Sequence, residues 1–257
     1  MKILYLGDIV GQPGRAFTRD VLRRIIPELQ PDLIVANGEN AAHGRGLTKK
    51  AAEELYDAGV EMITLGNHTF DQKDVLSILD EDERVVRPLN YPPGTPGQGF
   101  RICQVKGRSV LIVNLMGRAF LSQLDCPFRA ADGILAQFPE IKHILVDMHA
   151  EVTSEKVAMG WYLEGRVSAV VGTHTHVPTN DARVLPQGTA YITDLGMVGP
   201  RDGVLGVQRE QVIYRLLTSR PSRFEVAEGP CQFCAVEMVL DDDTGRAQSI
   251  RSIIEEG

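Results

Sequence analysis

The sequence predicts an α/β fold whose β-sheet is mixed. Short apolar runs rich in Val, Ile and Leu alternate with glycine or polar turns and with helical periodicity, which is typical of buried strands separated by helices. Two segments with turn residues at their centres predict hairpins, which add antiparallel strands. The predicted strands are Ile3–Leu6, Leu33–Ala36, Met62–Leu65, Val110–Leu115, Ile144–Val146, Ala169–Val171 and Tyr191–Thr193, and the hairpins pair Arg101–Val105 with Val110–Asn114 and Ala235–Leu240 with a strand near Ile250.

Three helices are predicted between these strands. The first carries one apolar face, formed by Phe17, Val21, Leu22, Ile25, Ile26 and Leu29. Thr48 is a predicted N-cap for a second helix through Leu55 to Gly59. Asp71 is predicted to cap a third helix that reaches about Leu79.

Length and charge limit the classes of function. The chain has 257 residues, 43% of them hydrophobic, which is enough for one sizeable core and predicts a single domain over residues 1–257. Its net charge of -7 gives no global attraction to nucleic acid or to an acidic membrane. No apolar run reaches the roughly 18 residues of a membrane helix, and the apolar start is too short for a signal peptide. We therefore expect a cytoplasmic protein.

The four cysteines do not suggest a disulfide framework. Cys231 and Cys234 form a Cys-x-x-Cys pair, but a structural zinc would need two more ligands, and Cys103 and Cys126 lack the required spacing. We interpret the pair as reduced thiols in or near a strand.

Residues with metal-binding side chains follow five of the predicted strands. Because ligands of α/β sheets bind at the carboxyl ends of the strands, we expect these side chains to converge at one edge. Each alone has a simpler interpretation, as a turn residue or a hydrogen-bonded histidine, but their shared placement favours a common site. His143 precedes its strand and is expected at the surface or at the start of that strand. The candidate ligands are Asp8, Glu39, Asn40, Asn67, His149, His174 and His176.

Oxygen and imidazole ligands suit Mn²⁺, Fe²⁺/Fe³⁺ or Zn²⁺ better than Ca²⁺, and no thiolate lies near these positions. Seven ligands indicate two metal ions, which in such sites lie roughly 3.5 to 4 Å apart, share a carboxylate, deprotonate a water and clamp phosphoryl oxygens. Glu39 is the best candidate for the shared ligand. We expect two divalent or mixed-valence ions, iron or manganese, with zinc as an alternative.

Five short sequence blocks contain the candidate ligands. They are Gly7-Asp8, Gly38-Glu39-Asn40, Gly66-Asn67-His68, Asp147-Met148-His149 and Gly172-Thr173-His174-Thr175-His176. In this order they resemble the signature of the calcineurin-like metallophosphoesterases. A further block, Thr193–Pro200, resembles the bacterial YmdB-like branch of that superfamily. Val10 stands where most members have a histidine, and Gly38-Glu39-Asn40 replaces the usual aspartate block; both departures follow the YmdB-like pattern.

The resemblance implies a two-sheet mixed β core flanked by helices in four layers. It implies that one metal is held by Asp8, Glu39, Asn40 and His176, and the other by Glu39, Asn67, His149 and His174. It also implies that His68 is the proton donor. The YmdB-like branch points to 2′,3′- and 3′,5′-cyclic nucleotides, such as the two forms of cAMP, as substrates.

The leading hypothesis is a phosphodiesterase that attacks a small diester with metal-activated hydroxide. One alternative is a phosphomonoesterase of the nucleotidase or protein-phosphatase type. Another is a regulatory protein that binds a phosphorylated ligand or RNA machinery, although a pure binder would not need His68 beside Asn67. We expect no stable complex with nucleic acid and no membrane partner; a homo-oligomer stays open.

Several other polar residues lie near the blocks in the sequence. Asp194 is expected either to support the metal ligands or to form a turn. The nearby cationic residues occur singly and not as a basic motif, so we expect them to be solvated or salt-bridged and the site to prefer diesters over monoesters. These residues are Arg15, His43, Arg45, Arg118 and Arg201.

Overall fold

The computed structural model describes all 257 residues, Met1–Gly257, and contains thirteen strands and six helices. The strands are β1 Lys2–Ile9, β2 Leu33–Asn37, β3 Met62–Thr64, β4 Val85–Val86, β5 Phe100–Val105, β6 Arg108–Met116, β7 His143–His149, β8 Ala169–Thr173, β9 Arg183–Val184, β10 Ala190–Ile192, β11 Met197–Pro200, β12 Cys231–Leu240 and β13 Ala247–Glu256. The helices are α1 Gly11–Leu29, α2 Lys49–Asp57, α3 Val75–Glu81, α4 Pro127–Gln137, α5 Thr153–Leu163 and α6 Arg209–Thr218.

The strands form two mixed sheets. The first sheet has seven strands in the order β13-β12-β11-β1-β2-β3-β4, and the second has six in the order β5-β6-β7-β8-β10-β9. In the first sheet β1, β2, β3, β4 and β11 run parallel, while β12 and β13 are antiparallel to their neighbours. In the second sheet β6, β7, β8 and β10 run parallel, with antiparallel strands at both edges.

Alternating side chains on the strands divide the apolar interior into three parts. Leu4 and Leu6 of β1 pack with α1, α2 and α3 on the outer face of the first sheet. Ile3 and Tyr5 face the other way and meet residues of the second sheet, such as Ile112. The outer face of the second sheet packs against α4 and α5. The layers therefore run helix, sheet, sheet, helix, which confirms the predicted four-layer α/β class.

All the predicted strands and both hairpins form, but one predicted cap is wrong. Thr48 caps α2, where its hydroxyl accepts a hydrogen bond from the Ala51 amide at 3.2 Å. Asp71 caps nothing, because α3 begins four residues later at Val75. His143 is buried at the start of β7, so its predicted surface position is wrong and its position at the strand start is right.

The sequence analysis does not predict helices α4, α5 and α6, which the structure contains. Cys231 and Cys234 lie buried in β12 with free thiols. None of the six helices combines the length and the apolar character that crossing a membrane requires.

Gly7 allows the end of β1, which carries Asp8, to lie close to the backbone of the neighbouring strand segment. The register between β1 and β2 shifts between Leu6 and Asp8, and β1 there begins to pair with β11. The backbones approach so closely that a Cβ at Gly7 would lie 2.0 Å from the carbonyl oxygen of Gly196. Only glycine fits at this crossing without displacing the backbone.

Gly7→Ala should therefore lower the free energy of unfolding by about 1 to 3 kcal/mol, because the added methyl group overpacks against backbone. Urea unfolding followed by circular dichroism measures this change. The matched control is Gly133→Ala in α4, where a Cβ meets no atom within 4 Å. That variant should be neutral or slightly stabilising, since alanine is the better helix former. Equal urea midpoints for the two variants would contradict this account.

Candidate metal centre

The seven predicted ligands lie together where the carboxyl ends of parallel strands from both sheets meet. Asp8 and His149 are at the ends of β1 and β7, and the other five occupy the turns after β2, β3 and β8. Asp8, Glu39, Asn40 and His149 are buried, whereas Asn67, His174 and His176 are partly exposed. The structure thus brings all seven predicted residues to one edge of the sandwich.

Glu39 lies at the centre of the cluster. Its Oε1 is 3.2 Å from Nε2 of His149 and 3.3 Å from Nδ2 of Asn40. Its Oε2 accepts a hydrogen bond from the backbone amide of His68 at 2.9 Å. One ligand atom each from Glu39, His149 and His174 lies within 4.8 Å of the other two. The carboxylate therefore contacts residues from several of the converging turns.

The remaining predicted ligands fall on two sides of Glu39. On one side, Oδ1 of Asn67 is 3.0 Å from Nε2 of His149. On the other side, Nε2 of His176 is 3.1 Å from Nδ2 of Asn40 and 3.9 Å from Oδ1 of Asp8. Two groups of potential ligands consequently share one carboxylate.

These residues fit divalent cations. Oδ1 of Asp8 is buried and has no hydrogen-bond partner, which leaves a carboxylate oxygen that a bound cation would satisfy. A Cβ at Gly66 would lie 2.3 Å from Nε2 of His149 and 2.4 Å from Oε2 of Glu39, so the chain approaches the ligands as closely as glycine allows. Carboxylate, amide and imidazole donors together match manganese, iron or zinc.

The charges inside the cluster shift its pKa values strongly. Burial alone would raise the pKa of Glu39, but the neighbouring His149 imidazole outweighs it and lowers that pKa to about 2. Burial alone would lower the pKa of His149, but the Glu39 carboxylate raises it to about 9. Burial, helped by the charge of His149, lowers the pKa of His174 to about 3. Burial raises the pKa of Asp8. Without metal, the His149 imidazolium is the cation that compensates the Glu39 carboxylate.

A buried hydrogen-bond chain orients the His149 ring. Thr173 donates its hydroxyl proton to Oδ1 of Asp147 at 2.7 Å, so the hydroxyl oxygen accepts from Nδ1 of His149 at 2.9 Å. The other oxygen of Asp147 accepts hydrogen bonds from Thr64 and Asn37. This arrangement keeps a proton on Nδ1, so Nε2 is the nitrogen that would bind a cation once it gives up the proton it carries in the imidazolium. Sequence reasoning missed this chain, although Asp147 and Thr173 belong to the recognised blocks.

The loop that carries His174 and His176 has an unfavourable backbone conformation. His174 and His176 have positive φ angles, 100° and 63°, which are uncommon for residues other than glycine. Oδ2 of Asp194 accepts hydrogen bonds from the backbone amide and the hydroxyl of Thr175, at 3.1 and 2.7 Å. It also binds Nζ of Lys156 at 2.6 Å, in an ion pair whose side chains are each 1% exposed. Asp194 therefore holds the loop between the two histidines.

The two histidine rings have different partners outside the cluster. Nε2 of His174 is 2.9 Å from Oε2 of Glu151, which leaves Nδ1 as its ligand atom. Nδ1 of His176 is 3.0 Å from the carbonyl oxygen of Leu205, which leaves Nε2. Neither partner was found from the sequence. Glu151 follows His149 by two residues, and Leu205 lies beyond the last recognised block.

His68 lies at the rim of the cluster with Asp71 beside it. Nδ1 of His68 is 2.8 Å from Oδ2 of Asp71. The contact places a proton on Nδ1 and leaves Nε2 of the ring for a second partner. Asp71, which the sequence predicted as a helix cap, instead orients His68.

A cavity of about 340 Å³ opens above the ligands. Its polar lining includes His43, Arg45 and His68. Its apolar lining comes mainly from the 201–230 segment, which connects β11 to β12. We call it the apolar wall; its residues are Val10, Val204, Leu205, Val207, Val212, Phe224 and Val226. Val10, which replaces the superfamily histidine, thus contributes to this wall.

The five cationic residues near the sequence blocks differ in their contacts. Arg15 forms an ion pair with Glu54 at 2.7 Å, and Arg201 forms one with Asp202 at 3.2 Å, as expected. His43 and Arg45 line the cavity. Only these two of the five face the candidate site.

The YmdB-like protein family matches residues 4–253. This chain belongs to the YmdB-like family. It is 48% identical over 255 residues to a Bacillus subtilis protein named 2′,3′-cyclic-nucleotide 2′-phosphodiesterase, with 99% of this chain and 97% of the relative covered.

Solved structures agree with the family assignment. A Mycoplasma pneumoniae structure described as a novel phosphatase superposes with a TM-score of 0.95 at 35% identity, covering 100% of this chain and 93% of that one. A 5′-nucleotidase precursor from Thermus thermophilus superposes with a TM-score of 0.59 at 13% identity, covering 99% of this chain and 54% of that one. The second likeness concerns the fold alone, which is that of the metallophosphoesterases and nucleotidases.

Lys156→Met should lower the free energy of unfolding by about 3 to 5 kcal/mol, because it leaves the Asp194 carboxylate buried without its cation. Chemical denaturation measures the loss. The control is Lys50→Met in α2, whose side chain is 84% exposed and which should change stability little. A double variant, Lys156→Met with Asp194→Asn, should recover part of the loss. If Lys156→Met is no less stable than Lys50→Met, the buried pair does not hold the loop.

Proposed function

We propose that this chain is a dinuclear metal-dependent phosphodiesterase that hydrolyses small cyclic nucleotides, 2′,3′-cAMP above 3′,5′-cAMP. The observation that carries the proposal is the position of Glu39, which is 1% exposed and lies between two groups of potential ligands at the floor of the cavity. The activity named for the Bacillus subtilis relative supports it.

The seven residues would hold the two ions as two sets that share Glu39. Asp8, Asn40 and His176 complete one set, and Asn67, His149 and His174 complete the other. When bound, two divalent ions supply Lewis-acid activation of water and neutralise charge on the phosphoryl oxygens. Asp8 and Glu39 contribute only two negative charges, so the loaded site keeps a net positive charge that attracts a phosphodiester anion. The donor set suits iron or manganese, with zinc as an alternative.

His68 acts as the general acid. Water adds to phosphorus, the bond from phosphorus to O2′ breaks, and the departing alkoxide takes the proton from Nε2 of His68. The product is a 3′-phosphomonoester. Asp71 keeps the other ring proton on Nδ1 through its 2.8 Å contact, so the ring presents Nε2 to the leaving group. General acid catalysis of this kind typically contributes about 10² to 10⁴ in rate.

The cavity suits a nucleotide because its lining combines polar and apolar side chains. Its volume of about 340 Å³ falls at the lower end of small-molecule sites. Leu205 and Phe224 on the apolar wall are 45% and 39% exposed, so a planar base can bury them while its cyclic phosphate reaches the ligands. Stacking of a base on an aromatic ring favours such binding without selecting one base.

The proposal is tested by specificity constants measured with one metal-loaded preparation. We expect 2′,3′-cAMP to have the highest kcat/KM, 3′,5′-cAMP the next, and AMP the lowest. AMP also expels an alkoxide, but as a monoester dianion it carries one more negative charge than a cyclic diester and calls for a different pocket. Elemental analysis of that preparation should find two metal ions per chain. If AMP exceeds both cyclic substrates, the protein is a phosphomonoesterase.

His68→Ala should reduce kcat about 10² to 10⁴-fold with 2′,3′-cAMP, because the alkoxide then leaves without a proton. The loss should be much smaller with bis(p-nitrophenyl) phosphate, since p-nitrophenolate leaves unprotonated. Metal content, measured by elemental analysis, should stay at the wild-type value and serves as the control. Equal losses on the two substrates would assign His68 to some other role than acid catalysis.

A further inference from the structure

A second cavity adjoins the one above the metal ligands. Its volume is about 590 Å³, and we call it the basic recess. His43, Arg45 and Phe224 line both cavities, so the two meet at these residues. Arg215 of α6 and Arg223 complete the far side of the recess, and Asp71 lies at its edge. A ligand bound at the metal centre can therefore extend past Phe224 into the recess.

The recess carries an excess of positive charge in a chain whose net charge is -7. It holds three guanidinium groups and one carboxylate, and that carboxylate, Asp71, is already in contact with His68. Nε of Arg45 is 3.8 Å from Asp71. Arg215 and Arg223 have no carboxylate partner within 4.0 Å. Two guanidinium groups are thus free to bind an anion.

Arg215 lies close to Phe224, and hydrogen bonds fix the backbone on both sides of the recess. The guanidinium carbon of Arg215 lies 5.3 Å from the centre of the Phe224 ring. The Arg45 carbonyl accepts a hydrogen bond from Gln72 at 2.7 Å. The Glu225 amide donates to Oε1 of Gln211 at 2.8 Å, which ties the segment after Phe224 to α6. Aromatic stacking restrains a guanidinium plane, and a planar fork suits phosphate oxygens.

We propose that the basic recess binds a second phosphate of the substrate. The preferred substrates are then nucleoside 2′,3′-cyclic phosphates that carry a phosphate on the 5′ side. This inference rests on the proposed function, because it takes the cyclic phosphate to lie at the metal ligands and the base to lie against the apolar wall. With those two groups placed, the 5′ side of the nucleotide is the part left to enter the adjoining recess.

Two kinds of substrate combine a 2′,3′-cyclic phosphate with a phosphate on the 5′ side. One is a mononucleotide with a separate 5′-phosphate, which brings two further charges. The other is the 3′ end of a short RNA fragment that carries a cyclic phosphate, in which the 5′-phosphate is a bridging diester with one charge. Adenosine 2′,3′-cyclic phosphate, its 5′-phosphorylated form and the dinucleotide ApA with a 2′,3′-cyclic phosphate distinguish them.

In the wild-type enzyme we expect kcat/KM to be about tenfold higher for the 5′-phosphorylated compound than for the unphosphorylated one, the factor given by one charged hydrogen bond of about 1.4 kcal/mol. The advantage should shrink as salt is raised from 0.05 to 0.5 M, because the arginines are exposed to solvent. The dinucleotide shares the advantage if RNA ends are the source and lacks it if mononucleotides are. Equal values for all three compounds would overturn the proposal.

Variants locate the effect. Arg215→Gln combined with Arg223→Gln should bring the ratio of the phosphorylated to the unphosphorylated substrate close to one. The control is Arg209→Gln, which changes an exposed arginine of α6 that pairs with Glu210 and lines neither cavity, and it should keep the wild-type ratio. A ratio that survives the double variant would show that the second phosphate binds elsewhere and would refute the recess.

A binding measurement makes the test independent of catalysis. Calorimetry compares adenosine 3′,5′-bisphosphate with 3′-AMP, the products of the phosphorylated and unphosphorylated substrates. The bisphosphate should bind the wild-type protein about tenfold more tightly, and the double variant should lose this difference. If no cyclic phosphate is hydrolysed, the proposed function fails, and the calorimetric comparison alone still decides whether the recess binds phosphate. Equal affinities for the two ligands would exclude it.

Discussion

The burial of the Glu39 carboxylate is the constraint on which the rest of the structure depends. An ionised carboxylate away from water must be compensated by cations or by hydrogen-bond donors. Glu39 meets this need through the ring of His149, the amide of Asn40 and the backbone of His68. These three partners lie at or just after the carboxyl ends of β7, β2 and β3. The two sheets must therefore align the ends of β2, β3 and β7 closely, and the packing between the sheets maintains that alignment.

A second buried charge pair sustains the histidine loop after β8. Positive φ at His174 and His176 costs conformational energy that the surrounding contacts must offset. Lys156 and Asp194 provide these contacts from α5 and from the turn after β10. The outer helix layer thus contributes directly to the geometry of the site, although α5 contains no ligand.

The candidate ligands could be predicted from the sequence because their signal is local. A polar residue after an apolar run lies at the carboxyl end of a strand, and parallel strands bring those ends together. The sheet class and most strand positions follow from the same periodicity. Asp71 shows where local signals fail, since its position suited a helix cap and its partner is a histidine on the preceding turn.

Features that depend on long-range contacts could not be predicted. Arg45 and Arg223 are 178 positions apart in the sequence, so nothing local indicates that the two cations are neighbours. Their proximity requires the 201–230 segment to fold back over the turn after β2. The helix α6 buries none of its residues, although Val212, Ile213, Leu216 and Leu217 recur at helical spacing, so its position follows from tertiary contacts that the sequence does not show.

The carbonyl of Leu205 joins the pocket wall to the metal centre. It accepts a hydrogen bond from His176, and Leu205 itself has φ of 55°. The adjacent Gly206 lies so close to Val10 that an added Cβ would be 2.8 Å from its side chain. A hydrogen bond therefore links the backbone of the apolar wall directly to the His176 ring. A substitution that displaces the backbone at Leu205 would therefore move the His176 imidazole as well, so this part of the pocket and the position of that ligand cannot change independently.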